Sequence, residues 1–131
     1  MWRFEHEVEV RFNDCDPMGH VNNAVYLTYL EAARFAWWQS IFGAGRGSHG
    51  FVVARVEIDY RRQAFPGERL TVRLRVDGIS RSSFTVAYEI LNTRTRETVA
   101  EGKSVQVAYD VSTGRSTPLS DDLRAKLEAA L

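Results

Sequence analysis

The chain has 131 residues, with seventeen Lys and Arg against seventeen Asp and Glu and a formal net charge of zero at pH 7. That balance creates no overall field for nucleic acid or an anionic membrane, so neither is an expected partner. An apolar content of 44% excludes a disordered chain, and the length fits one domain over 1–131. The single Cys15 cannot close an intramolecular disulfide. The opening segment Trp2–Phe12 alternates rather than running apolar as a secretory leader does, and no apolar run approaches the ~20 residues of a membrane helix. A cytoplasmic protein without membrane insertion is expected.

In chain order, Phe4 to Phe12 reads as a half-buried strand. Phe4, Val8, Val10 and Phe12 share one parity, and Glu5, Glu7, Glu9 and Arg11 the other, with His6 the exception on the apolar side. Asn13 to Gly19 is a turn-rich segment, with Pro17 and Gly19 as its breakers. A helix is predicted from about Asn23 to Phe42. Tyr26, Leu30, Ala33, Trp37 and Ile41 form one stripe, and Val25, Tyr29, Ala32 and Ala36 an adjoining one. So wide an apolar surface predicts a helix largely enclosed by other structure. Gly43, Gly45, Gly47 and Gly50 then end it in a loop that includes an exposed His49.

Beyond that loop the period changes to two. Strands are predicted from Phe51 to Arg62, Leu70 to Val76, Ser83 to Leu91 and Val99 to Asp110. Pro66-Gly67, Asp77-Gly78, Asn92-Thr93 and Thr113-Gly114 serve as turns. Leu119 to Leu131 reads as a short amphipathic helix. Short connections imply antiparallel neighbours. One buried helix and one sheet imply an α+β arrangement with the antiparallel sheet curved around the helix. An edge strand left over would pair with a second copy, making a homodimer.

The segment from Arg11 to Arg34, RFNDCDPMGHVNNAVYLTYLEAAR, sets an acidic turn just ahead of the helix. A helix N-terminus carries unpaired N–H donors and partial positive charge. Asn22 is a candidate N-cap, its side-chain oxygen accepting from Ala24 or Val25, which leaves the Asn23 N–H free for a ligand oxygen. An Asp16 carboxylate folded back toward that donor would attack an activated acyl group or direct water at it. A thioester suits this chemistry, since its carbonyl is electrophilic and its thiolate leaves readily. The competing reading is ordinary turn chemistry, for which Asp14 is the better candidate. No His or carboxylate at helix spacing completes a metal site with Asp14 and Asp16, so no metal is expected. Cys15 reads as a packed residue rather than a nucleophile. His20 either orders the loop or lines the pocket. Glu31 and Arg34 read as an i,i+3 brace, and Phe35, Trp37 and Trp38 as core and pocket wall. The strand ends Asp59-Tyr60-Arg61-Arg62 and Ser80-Arg81-Ser82-Ser83 offer guanidinium and hydroxyl donors that fit phosphates, or are solvated strand ends.

These motifs carry a resemblance. Asp16, the run Gly19-His20-Val21-Asn22-Asn23, then Tyr26 and Glu31-Ala32-Ala33-Arg34 resemble the signature of hotdog-fold acyl-CoA thioesterases of the 4-hydroxybenzoyl-CoA thioesterase group. The later segments IDYRRQAFPGERLTV, ISRSSF and VAEGKSVQVAYDVSTGR resemble that group in the same order. The resemblance implies a sheet wrapping one long helix, dimers that pair their sheets and often stack as tetramers, and active sites at the subunit interface. It implies Asp16 as nucleophile or general base and the Asn23 N–H as the donor polarising the carbonyl. It further implies substrate contacts from His20, Asn22, Tyr26, Arg61, Arg81 and Ser83, the last two near the coenzyme A nucleotide. No cofactor is implied, because coenzyme A is part of the substrate. The chain lacks the W-Y-P that follows the glycine in aryl-specialised members, which favours a fatty or general acyl group. A non-catalytic acyl-CoA or acyl-carrier-protein binding module and a hotdog dehydratase are the alternatives. The H-F-P-G that usually introduces the dehydratase helix is absent.

Overall fold

The computed structural model describes residues 1–43 and 50–131. The expectations for Gly45, Gly47 and His49 lie outside the described residues. Five antiparallel strands form the sheet: β1 (Phe4–Glu9), β2 (Phe51–Tyr60), β3 (Arg69–Ile79), β4 (Ser83–Asn92) and β5 (Thr98–Asp110). Their spatial order is β1-β3-β4-β5-β2, and a two-residue β6 (Arg115–Ser116) pairs with the end of β5. The long helix α1 (Val25–Phe42) packs against the sheet, and a short α2 (Asp121–Glu128) packs against β3. This is the expected α+β hotdog arrangement.

The core lies between α1 and the sheet. Tyr26, Tyr29, Leu30, Ala33, Trp37 and Trp38 of α1 are buried, together with Leu70, Val72, Leu74 and Val76 of β3 and Phe84, Val86, Tyr88 and Ile90 of β4. Alternating parity along each strand produces this inner face. Gly102 is required where β5 passes β2, since a Cβ there would lie 2.5 Å from the Glu57 carbonyl oxygen.

The structure corrects several boundaries. β1 stops at Glu9 and Phe12 is exposed, because Arg11 to Asp14 closes into a 3₁₀ turn. The Asp14 carboxylate captures the Arg11 N–H at 3.0 Å and takes it out of any ladder. Asp77-Gly78 is no turn. It is a bulge inside β3, which runs on to Ile79, and Asp77 is held there by Arg75 at 2.6 Å and Lys103 at 2.9 Å. The reversal comes afterwards, where the Ser80 N–H donates to the Ser83 carbonyl at 2.8 Å. β2 ends at Tyr60 rather than Arg62. α2 is shorter than expected, starting at Asp121 and capped by Ser120, whose hydroxyl accepts from Leu123 N–H at 3.2 Å.

The largest correction concerns enclosure. In the single chain α1 is covered on one side only. Leu27 and Phe35 are 40% and 48% exposed, and they face the same way as exposed Val52, Val53 and Val56 on the edge strand β2. A helix apolar over two faces therefore buries one against its own sheet and leaves the other without a cover.

Candidate active site

The loop between β1 and α1 is built around two aspartates. Asp14 is 2% exposed and fully engaged. It accepts from Arg11 N–H at 3.0 Å, Arg11 Nε at 3.2 Å, Arg11 Nη2 at 2.9 Å and the Tyr29 hydroxyl at 2.7 Å. Burial pushes its carboxyl up, but these donors outweigh burial and hold it below the usual carboxylate range. The same contacts act on Tyr29, where burial first and then the adjacent carboxylate push the phenol up. The Asp14 carbonyl also receives the Asn22 N–H at 2.9 Å, so this residue ties both ends of the loop together.

Asp16 opens a tight reversal. The Gly19 N–H donates to its carbonyl at 2.9 Å, with Pro17 pre-set for the turn and Gly19 at φ +88°, a conformation that favours glycine. Asp16 and His20 then pair through a 3.0 Å backbone bond, and Cys15 and Val21 bridge beneath them. Among the described residues the Asp16 carboxylate accepts a single hydrogen bond, from Met18 N–H at 2.9 Å. The His20 imidazole stands 3.9 Å away and also reaches the Val21 carbonyl at 3.3 Å. The Asp16 side chain is 23% exposed, so it is mostly covered and only partly reaches the surface.

The head of α1 follows. The Asn22 side chain accepts the Ala24 N–H at 2.9 Å, and its carbonyl accepts the Val25 N–H at 2.9 Å. The Asn23 N–H has no acceptor among the described residues, whereas the Asn23 carbonyl accepts the Tyr60 hydroxyl at 2.8 Å. Tyr60 packs its ring against Tyr26, centroids 5.3 Å apart. The Tyr26 phenol is buried and thereby pushed up to about 12. An unpaired amide at a helix head, with its residue clamped from the edge strand, is a preorganised donor for an anionic oxygen.

The predicted residues divide into two groups. Asp16, His20, Asn22, Asn23 and Tyr26 belong to the loop and helix head. Arg61 lies near them beyond β2, with its guanidinium 3.0 Å from Glu101 and 3.8 Å from Asp59. Arg81 and Ser83 lie at the opposite end of the sheet, roughly 33 Å away along β3 at ~3.3 Å per residue. One chain does not bring them to Asp16. Nor is the expected Glu31–Arg34 brace formed. Glu31 is exposed, and Arg34 donates to the Tyr88 hydroxyl at 3.1 Å instead.

An apolar cavity of about 560 Å³ runs beside α1 and β2, walled by Phe35, Trp37, Trp38, Phe51 and Phe84. Asp16 and Asn23 do not line it; it continues toward Leu27 and Val56 through a smaller groove that shares Thr28, Glu31, Arg34 and Val53. Ser104 and Gln106 beneath α1 have no counterpart in the sequence reading. Hydropathy alone favours Val105 and Val107 as the inward pair of β5, but the register against β4 buries Ser104 and Gln106. Among the described residues no three His, Cys, Asp or Glu side chains converge as a metal site.

A family model for the thioesterase-like superfamily matches residues 10–127. The long-chain acyl-CoA thioesterase FadM of Escherichia coli is 30% identical, over 93% of this chain and 95% of that one. The 1,4-dihydroxy-2-naphthoyl-CoA hydrolase of Synechococcus elongatus is 27% identical, over 91% of this chain and 90% of that one. A Thermus thermophilus thioesterase, solved with coenzyme A and zinc, superposes with a TM-score of 0.87 at 38% identity, over 98% of this chain and 95% of that one. The family match covers the two-aspartate loop, α1 and the sheet from β2 to β6, the Thermus superposition takes in 98% of the chain, and the chain accordingly belongs to the thioesterase-like superfamily as a thioesterase of the hotdog fold.

Proposed function

We propose that the protein hydrolyses acyl-CoA thioesters to a free acid and coenzyme A in the cytoplasm, working as a homodimer that stacks into a tetramer. The reading is carried by the Asn23 amide just ahead of α1, which has no acceptor among the described residues, in the same loop as an Asp16 carboxylate with one hydrogen bond among them. The thioester carbonyl oxygen accepts from the Asn23 N–H. Asp16 either adds to the carbonyl carbon or takes a proton from the water that does. The C–S bond breaks, the electron pair leaves on sulfur, and the thiolate is protonated. If Asp16 adds directly, water then cleaves the acyl-aspartyl anhydride. Both routes place developing negative charge on the oxygen beside Asn23, where a fixed dipole is most effective. Coenzyme A enters as part of the substrate.

The dimer rests on the uncovered face. β2 is a ten-residue edge strand with exposed Val52, Val53 and Val56, beside exposed Leu27 and Phe35 of α1. Such an edge is a template for pairing. Antiparallel pairing of two β2 strands about a twofold axis sets the Tyr60 end of one copy beside the Phe51 end of the other. The Asp16 loop then meets the sheet end that carries Arg81 and Ser83 of the partner subunit. That geometry reconciles the two separated groups of predicted residues, with their guanidinium and hydroxyl donors available to coenzyme A phosphates.

A thiol-trapping assay over acyl-CoA chain lengths tests the activity, with Asp16→Asn as the control expected to bind substrate but release little thiol. Tight binding without release by the parent would leave a binding module, and an enoyl product would mean dehydration. Val56→Glu tests the dimer. It is expected to sediment as a monomer and to lose turnover, and full activity in a monomeric Val56→Glu protein would overturn an interfacial site.

A further inference from the structure

Two successive peptide groups lie just ahead of α1, and they are held differently. In the first, between Asn22 and Asn23, the carbonyl accepts the Val25 N–H at 2.9 Å, and the Asn23 N–H has no acceptor among the described residues. In the second, between Asn23 and Ala24, the Ala24 N–H donates to Asn22 Oδ1 at 2.9 Å. The Asn23 carbonyl accepts the Tyr60 hydroxyl at 2.8 Å and no other donor among the described residues. The helix does not claim that carbonyl, because the Leu27 N–H turns to Ala24, at 3.2 Å.

Tyr60 is itself firmly placed. It is the last residue of β2, opposite Ala100 of β5, and the next amide, Arg61 N–H, donates to the Val99 carbonyl at 2.8 Å. Its ring packs on Tyr26 with centroids 5.3 Å apart. Partial burial pushes its phenol above the ordinary value of 10.0, so it stays a donor at neutral pH. A peptide group bonded at both ends cannot rotate without breaking one of its two hydrogen bonds. The peptide unit is planar, so fixing that plane also limits how the adjoining Asn23 N–H can turn. The contact is made within one chain, and it stands whether β2 is free or paired with a second copy.

We propose that Tyr60 is a positioning residue for thioester hydrolysis: its hydroxyl, with the Asn22 side chain, fixes the Asn23–Ala24 peptide and so aims the Asn23 N–H at the substrate carbonyl oxygen. Tyr60 touches no reacting atom. The strand that pairs with the partner subunit thereby also sets the donor for the developing oxyanion. The inference rests on the thioesterase reading and adds to it a role for Tyr60 other than the phosphate contact expected of its strand end.

Tyr60→Phe keeps the ring and removes the hydroxyl. Its kcat in the thiol-release assay is expected to fall about tenfold, less than the roughly hundredfold or more of losing an oxyanion donor outright, with KM within about twofold of the parent. Binding of S-octyl-coenzyme A, a thioether with no carbonyl, should be unchanged, as should circular dichroism and sedimentation. Exchange of the Ala24 amide, followed by NMR, should quicken several-fold while that of Leu30 in mid-helix does not. Asn22→Ala frees the other end of the same peptide, so the double variant should lose less than the product of the two single losses. An unchanged kcat in Tyr60→Phe overturns the inference and leaves the thioesterase reading standing. A raised KM at unchanged kcat does the same by making Tyr60 a substrate contact. A fall in kcat that comes with dissociated subunits, or losses that multiply in the double variant, also overturns it. No thiol release by the parent sinks the thioesterase reading, and the Ala24 exchange then still decides whether the clamp exists.

Discussion

Asp14 and Asp16 stand two positions apart on one loop in opposite surroundings. Asp14 is buried and takes four donors from Arg11 and Tyr29. Asp16 is partly exposed and takes one, from the amide two positions along. A carboxylate whose lone pairs are filled can hold structure but has nothing left with which to attack. A carboxylate with one donor among the described residues, in the loop that leads into α1, keeps lone pairs for chemistry. On the proposed mechanism, hydrogen-bond saturation, rather than residue type, separates Asp14 as anchor from Asp16 as reagent.

The contrast breaks down if the two residues exchange roles under substitution. The largest expected effect is on turnover. Asp16→Asn should lower kcat by about a thousandfold, within the range for loss of a catalytic base or nucleophile, with an unchanged urea midpoint. The next is on stability. Asp14→Asn turns an acceptor toward donors it can no longer fully satisfy, and should cost about 3 kcal/mol in urea unfolding. Its folded fraction should keep activity within a few-fold of the parent. Tyr29→Phe removes one donor to the buried charge and should cost about 1.5 kcal/mol by the same measurement.

The pH dependence sharpens the same comparison. The folded Asp14 carboxyl lies below its ordinary value of 3.8. Its stabilisation is therefore fully present above that value and is lost as pH falls through the folded pKa. The parent should lose stability more steeply than Asp14→Asn below about pH 4, read from urea midpoints across an acid series. The smallest effect is expected from Arg11→Met, since that side chain is 73% exposed and water replaces much of its interaction, although Asp14 keeps the Arg11 backbone donor.

Much of this was legible in the chain. The shift from a three-to-four-residue period at Tyr26–Ile41 to alternation after Phe51 marks one helix and a run of strands, because side-chain direction follows backbone geometry. The Asn22 side chain as acceptor for Ala24 was legible because such bonding is local, but α1 begins at Val25 with Ala24 as its N-cap, so Asn22 is not the cap and Asn23 lies in the turn just ahead of the helix. Asp77-Gly78 misled because the same residues serve turns and bulges, and only pairing with β4 separates the two. Phe12 misled because alternation does not reveal where Asp14 takes up the Arg11 amide.

The sequence by itself determined the element types, the acid turn before the helix and the hotdog resemblance, all of which depend on residues close along the chain or on pattern. Only the tertiary structure decided which aspartate is saturated, since Tyr29 reaches Asp14 from the next element. It alone turned Ser104 and Gln106 inward against the pull of Val105 and Val107. It also decided that Arg34 leaves Glu31 for Tyr88, and that Arg81 and Ser83 lie a sheet's length from Asp16. The reason is common to all four: register and strand order bring together residues far apart in sequence, and no local preference encodes which of them will meet.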